Sequence, residues 1–300
     1  MQRESGVVIV AVLWICALVM WFALQIGADT RLQSEEQVHI MRKSQALHLA
    51  IGGGYEAIAH MGAPRATGLG GLSRGHSGKG SFEGSPEDWL PDGKPHVIQY
   101  QTGEAIVVIE DENRKVNVNK ANRDQLKAVF EKTGAESDLA DRLADVIGDF
   151  VDKDDTPRLN GAEKDHYKQL GLPYGPLNGP LLTLDQMLLI PGITQQAFYG
   201  LGQQEQVQEV DEATALLNSL FPPEYSLFQS FTVYGNNTKL QDRAEEELLG
   251  KVVSWQNGGV YRILACGRTY TGPPAVVLWL TVRNAPETER GYEVLFRKIL

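Results

Sequence analysis

An uncharged, proline-free run over residues 7–24 constrains this chain more than any other feature. With the next two residues it is long enough, as a helix rising about 1.5 Å per residue, to span a bilayer core of about 30 Å. A secretory signal has a shorter apolar region, a more basic start and a small-x-small cleavage site. Residues 26–28 match such a cleavage site only loosely. The sequence therefore predicts a retained membrane anchor over residues 7–26.

The anchor is predicted to continue into a second, amphipathic stretch of the same helix. Residues 37–61 contain no proline and mix apolar with polar side chains, and Pro64 ends the pattern. Residues 52–54 are three glycines, which should weaken or bend the helix because each costs about 1 kcal/mol relative to alanine. The glycine-rich residues 62–85 are then predicted to form a flexible surface loop.

Charge and cysteine content exclude some classes of protein. The formal net charge of −10 disfavours a nucleic-acid partner, since such binding needs clustered lysine and arginine. Two cysteines are too few for a disulfide framework. Cys16 lies in the apolar run and Cys266 in a strand-like stretch, so they are not expected to meet, and Cys266 is predicted to fill the core.

Five strand-like runs flank a different middle region. They cover residues 96–101, 104–110, 259–266, 275–283 and 292–299, and the first two are separated by a hairpin-like Thr102-Gly103. The order is a long helix, two strands, a helical middle and three more strands. This order predicts an antiparallel sheet packed on the helix, with a helical domain inserted between its strands.

The middle region, residues 117–230, has helical periodicity. Asn119 is a candidate cap for a helix whose apolar side is Leu126, Val129 and Phe130. A second helix carries one apolar stripe, made of Leu139, Leu143, Val146, Ile147 and Phe150. Thr183 and Gln186 have capping-box spacing at the start of a third.

Acidic residues are densest between residues 136 and 165, a segment that contains ten acidic and four basic side chains. Such a run is either a solvated acidic face or a calcium site, because Ca²⁺ takes six to eight oxygen ligands. The candidate ligands are Asp152, Asp154, Asp155, Asn160 and Glu163. Four of them match hand-loop positions 1, 3, 9 and 12, but Pro157 replaces the required glycine. Gly161 is expected to supply an unusual backbone angle.

Two segments resemble helix-hairpin-helix modules, in which hairpin amides grip a DNA phosphate. They are "VNVNKANRDQL" (116–126) and "LLTLDQMLLIPGI" (181–193). Thr194 replaces the second glycine of the hairpin and no lysine or arginine follows, so the phosphate-gripping chemistry is missing. No catalytic set of side chains is apparent, and the chain is predicted not to be an enzyme.

Taken in order, several motifs resemble the minor pseudopilin K family of the bacterial type II secretion system (general secretion pathway protein K). They are a glycine before the apolar helix, the V-N-V-N-x-A junction, "VIGDFVDKDDTPRLNGAEKDHY", "YGPLNGPLLTLDQMLLIPGI" and "LFQSFTVYG". The resemblance covers residues 1 to about 240. It implies an α+β, pilin-like fold with an inserted helix-hairpin-helix (SAM-like) domain, calcium in that domain, and a position at the pseudopilus tip.

The resemblance also implies a processing site and a division into segments. Gly6 matches the glycine before the prepilin peptidase cut, so Val7 becomes the mature, methylated first residue. The segments are the leader 1–6, the helix 7–62, the glycine-rich loop and first strands 63–116, the inserted domain 117–230 and the final strands 231–300. "KLQDRAEEELLGK" (239–251) lacks a repeat common in the family, which indicates a reduced second unit.

The implied role is to initiate pseudopilus assembly and to help export folded proteins across the outer membrane. The implied partners are the H-, I- and J-type minor pseudopilins, the major pseudopilin, prepilin peptidase, the inner-membrane secretion platform and secreted substrates, with no nucleic acid. The chain would cross the inner membrane once, with its C-terminal domain in the periplasm. The alternative is a membrane-anchored helix-hairpin-helix DNA receptor, which the acidic charge disfavours.

The fifth mature residue supports a tip position. Pilin-type subunits mostly carry a glutamate there, whereas this chain has Ala11. A carboxylate inside the bilayer is costly unless it meets a partner such as the terminal amine of the subunit ahead. A subunit that leads the fibre has no such partner, so the absence of the glutamate suits it.

Overall fold

A computed structural model describes residues 4–62, 89–200, 221–223, 226–241 and 254–300, with the side chains of residues 4–8, 26–32 and 34 excepted. The helices of this part are α1 (Glu4–Gly62), α2 (Arg123–Lys132), α3 (Ser137–Val151), α4 (Lys164–Gln169), α5 (Gln195–Tyr199) and α6 (Leu227–Ser230), with 3₁₀ turns at Glu112–Arg114 and Leu184–Leu189. The strands are β1 (Asp92–Gln99), β2 (Gly103–Asp111), β3 (Val116–Asn117), β4 (Phe231–Thr232), β5 (Val260–Thr269), β6 (Gly272–Asn284) and β7 (Tyr292–Ile299). Most of the glycine-rich loop and of "KLQDRAEEELLGK" lies outside the described residues.

Five strands form one antiparallel sheet in the order β1-β2-β5-β6-β7. Successive residues point to opposite faces of a strand, and both faces of β2 are buried. Val107 faces the helix α1 cluster, whereas Ile106 and Val108 face the cluster formed with the inserted domain. The predicted sheet packed on a long helix is therefore confirmed, and the continuous apolar run of β2 reflects its two buried faces.

Helix α1 continues without a break through the three glycines at residues 52–54. Gly53 is close to the sheet, since a Cβ there would lie 2.7 Å from the Cβ of Ala105. The approach is closer still at Gly267 of β5, where a Cβ would lie 1.9 Å from the carbonyl oxygen of Ala46. The glycines that were expected to weaken or bend the helix thus let it lie against the strands.

The N-terminal half of α1 has a different environment. The large apolar side chains described between Ile9 and Leu24 are all exposed. Within the part of the chain that the structure describes, no helix meets the length and apolarity required of a membrane span. The anchor over residues 7–26 stays a prediction.

The inserted region lies between β2 and β5, and its two ends meet. Strands β3 and β4 pair in parallel, with Val116 opposite Phe231. The helices α2 and α3 bury most of the predicted apolar residues, namely Leu126, Val129, Phe130, Leu143, Val146, Ile147 and Phe150. Leu139 was expected in the same stripe, but it lies in the first turn of α3 at the surface and is 45% exposed.

The prediction that Asn119 caps α2 is wrong. Asn122 is the cap: its Oδ1 accepts from the backbone N–H of Gln125 at 2.9 Å, and the Gln125 Oε1 accepts from the Asn122 N–H at 2.8 Å. The Asn119 side chain instead bonds both backbone groups of Leu181, at 2.8 and 2.9 Å. It therefore joins two segments that are 62 residues apart. The Thr183–Gln186 capping box is present, but it starts the 3₁₀ turn Leu184–Leu189.

A buried ionic network fastens the inserted region to the sheet. Arg262 of β5 and Glu112, each 1% exposed, pair at 2.7 Å, and Lys115 lies 3.2 Å from the same carboxylate. Arg262 also donates to the carbonyl oxygen of Phe231 in β4, at 3.1 Å. Burial alone would raise the pKa of Glu112, but Arg262 and Lys115 outweigh it and hold that pKa below its usual range. The carboxylate stays charged and paired inside the protein.

The two cysteines are unpaired in the part of the chain that the structure describes, as predicted. Cys266 is fully buried in β5, among the residues that face the inserted region. Burial raises the pKa of its thiol to about 11, so it packs as a small apolar side chain.

Candidate metal centre

The acidic loop connects the end of α3 to the start of α4. Helix α3 ends where the backbone of Asp152 becomes extended, and the Asp152 N–H still donates to the Gly148 carbonyl at 3.0 Å. The loop then turns at Asp154, whose Oδ1 accepts from the backbone N–H of Thr156 at 2.9 Å. Glu163 lies at the N-terminal boundary of α4. Helices α3 and α4 thus hold the two ends of the loop.

Three of the five predicted ligands converge. Asp152, Asp154 and Glu163 each offer a carboxylate oxygen, and these oxygens lie within 4.8 Å of one another. Glu163 is 8% exposed, and among the described residues no donor reaches either of its oxygens or the Oδ1 of Asp152. Buried carboxylate oxygens without donors are costly, whereas a hard cation such as Ca²⁺ binds oxygen ligands of this kind. The residues therefore fit a calcium ion.

The electrostatics of Glu163 agree with this fit. Burial raises its pKa above the usual range, and the neighbouring carboxylates of Asp149, Asp152, Asp155 and Asp154 raise it further. Like charges and desolvation both penalise the carboxylate form. A bound divalent cation would remove that penalty.

The other two predicted ligands have partners outside this cluster. The Asp155 Oδ1 accepts from the Asn178 side-chain amide at 3.3 Å, and the Asn160 amide donates to Asp145 at 3.2 Å. Asp155 is not among the converging carboxylates. Both residues fasten the loop to its surroundings in this arrangement.

Three residues near the loop, Asp149, Arg158 and Asn178, are not among the ligands predicted from the sequence. Arg158 pairs with Asp152 at 3.0 Å and lies 3.6 Å from Asp149, whose side chain is fully buried. Asn178 has a φ of 47° and a side-chain oxygen that no donor reaches among the described residues. The only local signal for Asn178 is the turn composition of "PLNGP".

Gly161 has a different role from the expected one. Its φ lies outside the left-handed region that favours glycine, so the predicted unusual backbone angle is wrong. Instead, a Cβ at this position would lie 1.8 Å from the Oδ2 of Asp149. Glycine is needed here for space, because the loop passes directly over the buried carboxylate.

The predicted processing site lies in the first turns of α1. Gly6 and Val7 belong to the helix, but their side chains are outside the described ones. The cut after Gly6 stays a prediction.

Comparisons with known proteins match the central motifs to one family. Residues 105–202, which include the acidic loop, match the family model described as type II secretion system (T2SS), protein K. The type II secretion system protein K of Klebsiella pneumoniae is 25% identical over 258 residues, covering 76% of this chain and 74% of that protein. Its namesake from Pectobacterium carotovorum subsp. carotovorum is 27% identical over 94 residues, 31% of this chain and 29% of that protein.

A solved structure also resembles the chain. It is a chain of the GspK-GspI-GspJ complex of the type 2 secretion system of enterotoxigenic Escherichia coli. The alignment covers 90% of this chain and 99% of that one, with 16% sequence identity and a TM-score of 0.45.

Proposed function

We propose that this chain, whose residues 105–202 match the family model described as type II secretion system (T2SS), protein K, is a member of that family and is the minor pseudopilin at the tip of the secretion pseudopilus. It would initiate pseudopilus assembly and support export of folded proteins across the outer membrane. The observation that carries the proposal is the combination of a long helix α1 on an antiparallel sheet with an inserted domain that matches this family.

The environment of α1 supports an assembly role. Its C-terminal half buries Ala50, Ala57 and Ile58 against the sheet, whereas the apolar side chains from Ile9 to Leu24 are exposed. Exposed apolar surface of this extent needs a non-polar surrounding. We propose that lipid covers it first, as a single inner-membrane span over residues 7–26, and that companion helices cover it in the fibre, with the C-terminal domain in the periplasm.

We propose the partners that the family resemblance implies. They are the H-, I- and J-type minor pseudopilins, the major pseudopilin, prepilin peptidase, the inner-membrane platform and the secreted substrates. Ala11 suits the leading position, because a chain with no subunit ahead of it has no terminal amine to pair with a carboxylate. The role is structural, and we propose no catalytic activity.

We also propose that the acidic loop binds calcium. Asp152, Asp154 and Glu163 would be protein ligands, since their oxygens converge and two of the three carboxylates carry buried oxygens that no donor reaches among the described residues. A bound Ca²⁺ would offset two of the three negative charges of the cluster and link the end of α3 to the start of α4. The affinity expected for such a loop outside the cytoplasm is about 10⁻⁴ to 10⁻³ M.

The functional proposal is tested in the source bacterium. Deleting the gene should leave secreted enzymes folded in the periplasm and reduce their extracellular activity to background, and the wild-type chain should restore secretion. Gly6→Val should fail to restore it, because the residue before the peptidase cut is changed. Ser5→Ala is the matched control and should secrete normally. Full secretion without the chain, or with Gly6→Val, would contradict the proposal.

A further inference from the structure

The side chain of Arg158 is 40% exposed and lies beside the candidate calcium ligands. Its Nη2 donates to the Asp152 Oδ2 at 3.0 Å, and its Nε lies 3.6 Å from the Asp149 Oδ1. Its backbone N–H also donates to the Asp149 Oδ2 at 3.2 Å. Side chain and backbone of one residue therefore contact two carboxylates that follow each other along the end of α3.

Two glycines make room for this arrangement. A Cβ at Gly148 would lie 1.1 Å from the Nη1 of Arg158 and 2.3 Å from its Cζ, so the guanidinium lies directly over the α3 backbone. A Cβ at Gly161 would overlap the Asp149 carboxylate in the same way. The guanidinium and the buried carboxylate are thus packed into sites that larger residues would block.

The contact with Arg158 gives the two carboxylate oxygens of Asp152 different environments. Its Oδ2 accepts from Arg158, whereas its Oδ1 is buried and no donor reaches it among the described residues. Since the carboxylate belongs to the cluster with Asp154 and Glu163, fixing one oxygen leaves the other available as a ligand. Asp152 is only partly buried. Without this contact its side chain would be ordered only when the ion binds, and that ordering would reduce the affinity for the ion.

We propose that Arg158 is a positioning residue of the cation site: seated over Gly148, it holds Asp152 by one oxygen so that the other is presented to the ion. This inference rests on the proposed calcium binding. It extends that proposal, because the calcium affinity of the site then depends on Arg158, a residue that does not contact the ion.

The direction of the change in calcium affinity on removing Arg158 distinguishes a positioning role from a purely electrostatic or competing one. If Arg158 were only a positive charge near the acids, or a competitor for Asp152, its removal would tighten binding of a divalent cation. If it positions Asp152, its removal weakens binding, and changes in residues that orient metal ligands typically cost 10–100-fold in affinity. Charge and position therefore predict opposite results.

The experiment is a calcium titration by calorimetry of the full-length chain in detergent. Arg158→Gln should weaken binding by about 10-fold. Gly148→Ala should weaken it similarly although every charge is retained, because the new Cβ displaces the guanidinium. It should not harm folding, since alanine is the better helix former. Lys153→Gln is the control: it removes a positive charge from the same loop, and binding should stay equal or become tighter.

A spectroscopic measurement checks the mechanism. With Tb³⁺ as the probe ion, luminescence lifetimes in H₂O and D₂O should indicate more bound water in Arg158→Gln and Gly148→Ala than in wild type, because water replaces a loosely held Asp152. Unchanged or tighter calcium binding in both variants, or unchanged hydration, overturns the positioning role while the calcium site stands. Absence of calcium binding in the wild type overturns the site itself.

Discussion

Replacing Arg262 with methionine should lower the free energy of unfolding by about 3–5 kcal/mol, because it leaves the buried Glu112 carboxylate without its closest cation. Arg262 also packs over the ring of Phe228, with its Cζ 4.3 Å from the ring centroid, and it donates to the carbonyl oxygens of Phe228 in α6 and Phe231 in β4. Its loss should therefore loosen the inserted region from the sheet. Urea unfolding of the full-length chain in detergent measures the change.

An exposed ion pair of the same sheet provides the control for Arg262. Arg283 and Glu293 pair at 2.8 Å, but their side chains are 43% and 51% exposed. Arg283→Met should therefore cost less than about 1 kcal/mol. The double variant Arg262→Met, Glu112→Met should cost less than the sum of its single changes, since no uncompensated charge remains. Equal costs for Arg262→Met and Arg283→Met would contradict the buried network.

Calcium should stabilise the wild-type chain, and Glu163→Gln should abolish that effect. A ligand at 100 times its dissociation constant stabilises the folded state by about 2.7 kcal/mol, which appears as a rise in melting temperature. Without calcium, Glu163→Gln should be at least as stable as wild type. The reason is that burial and neighbouring carboxylates penalise the charged form, as the raised pKa of Glu163 indicates.

Asp165→Asn is the matched control for the calcium measurement. It removes one acidic charge two residues from Glu163, but Asp165 is exposed and pairs with Lys168 at 2.8 Å. Its variant should keep the full calcium effect. A wild-type melting temperature that calcium does not move, or an equal rise in Glu163→Gln, would contradict the proposed site.

The sheet and the long helix could be predicted because their signals are local. The apolar runs of β2 and β5 identify strands, and the pattern of residues 37–61 identifies a helix. The cap of α2 could not be chosen in the same way. Asn119 and Asn122 are both good caps in isolation, and only the contact with Leu181 determines that Asn119 is used elsewhere.

The candidate metal site was likewise predictable only in part. Spacing and composition predicted the converging carboxylates, Asp152, Asp154 and Glu163. The roles of Arg158 and Gly161 depend on how the loop folds back over the end of α3. No periodic pattern in the sequence indicates this path of the loop. Glycine at position 161 suggested a backbone angle, because the sequence does not show that a buried carboxylate lies beneath it.

Intact-mass measurement shows directly whether the chain is processed as a pseudopilin. The full-length chain is co-expressed with a prepilin peptidase and purified from the membrane fraction. We predict a mass lacking residues 1–6, with a methylated Val7 as the first residue, and an unprocessed mass for Gly6→Val. A wild-type chain that keeps residues 1–6 in the presence of an active peptidase would contradict this prediction.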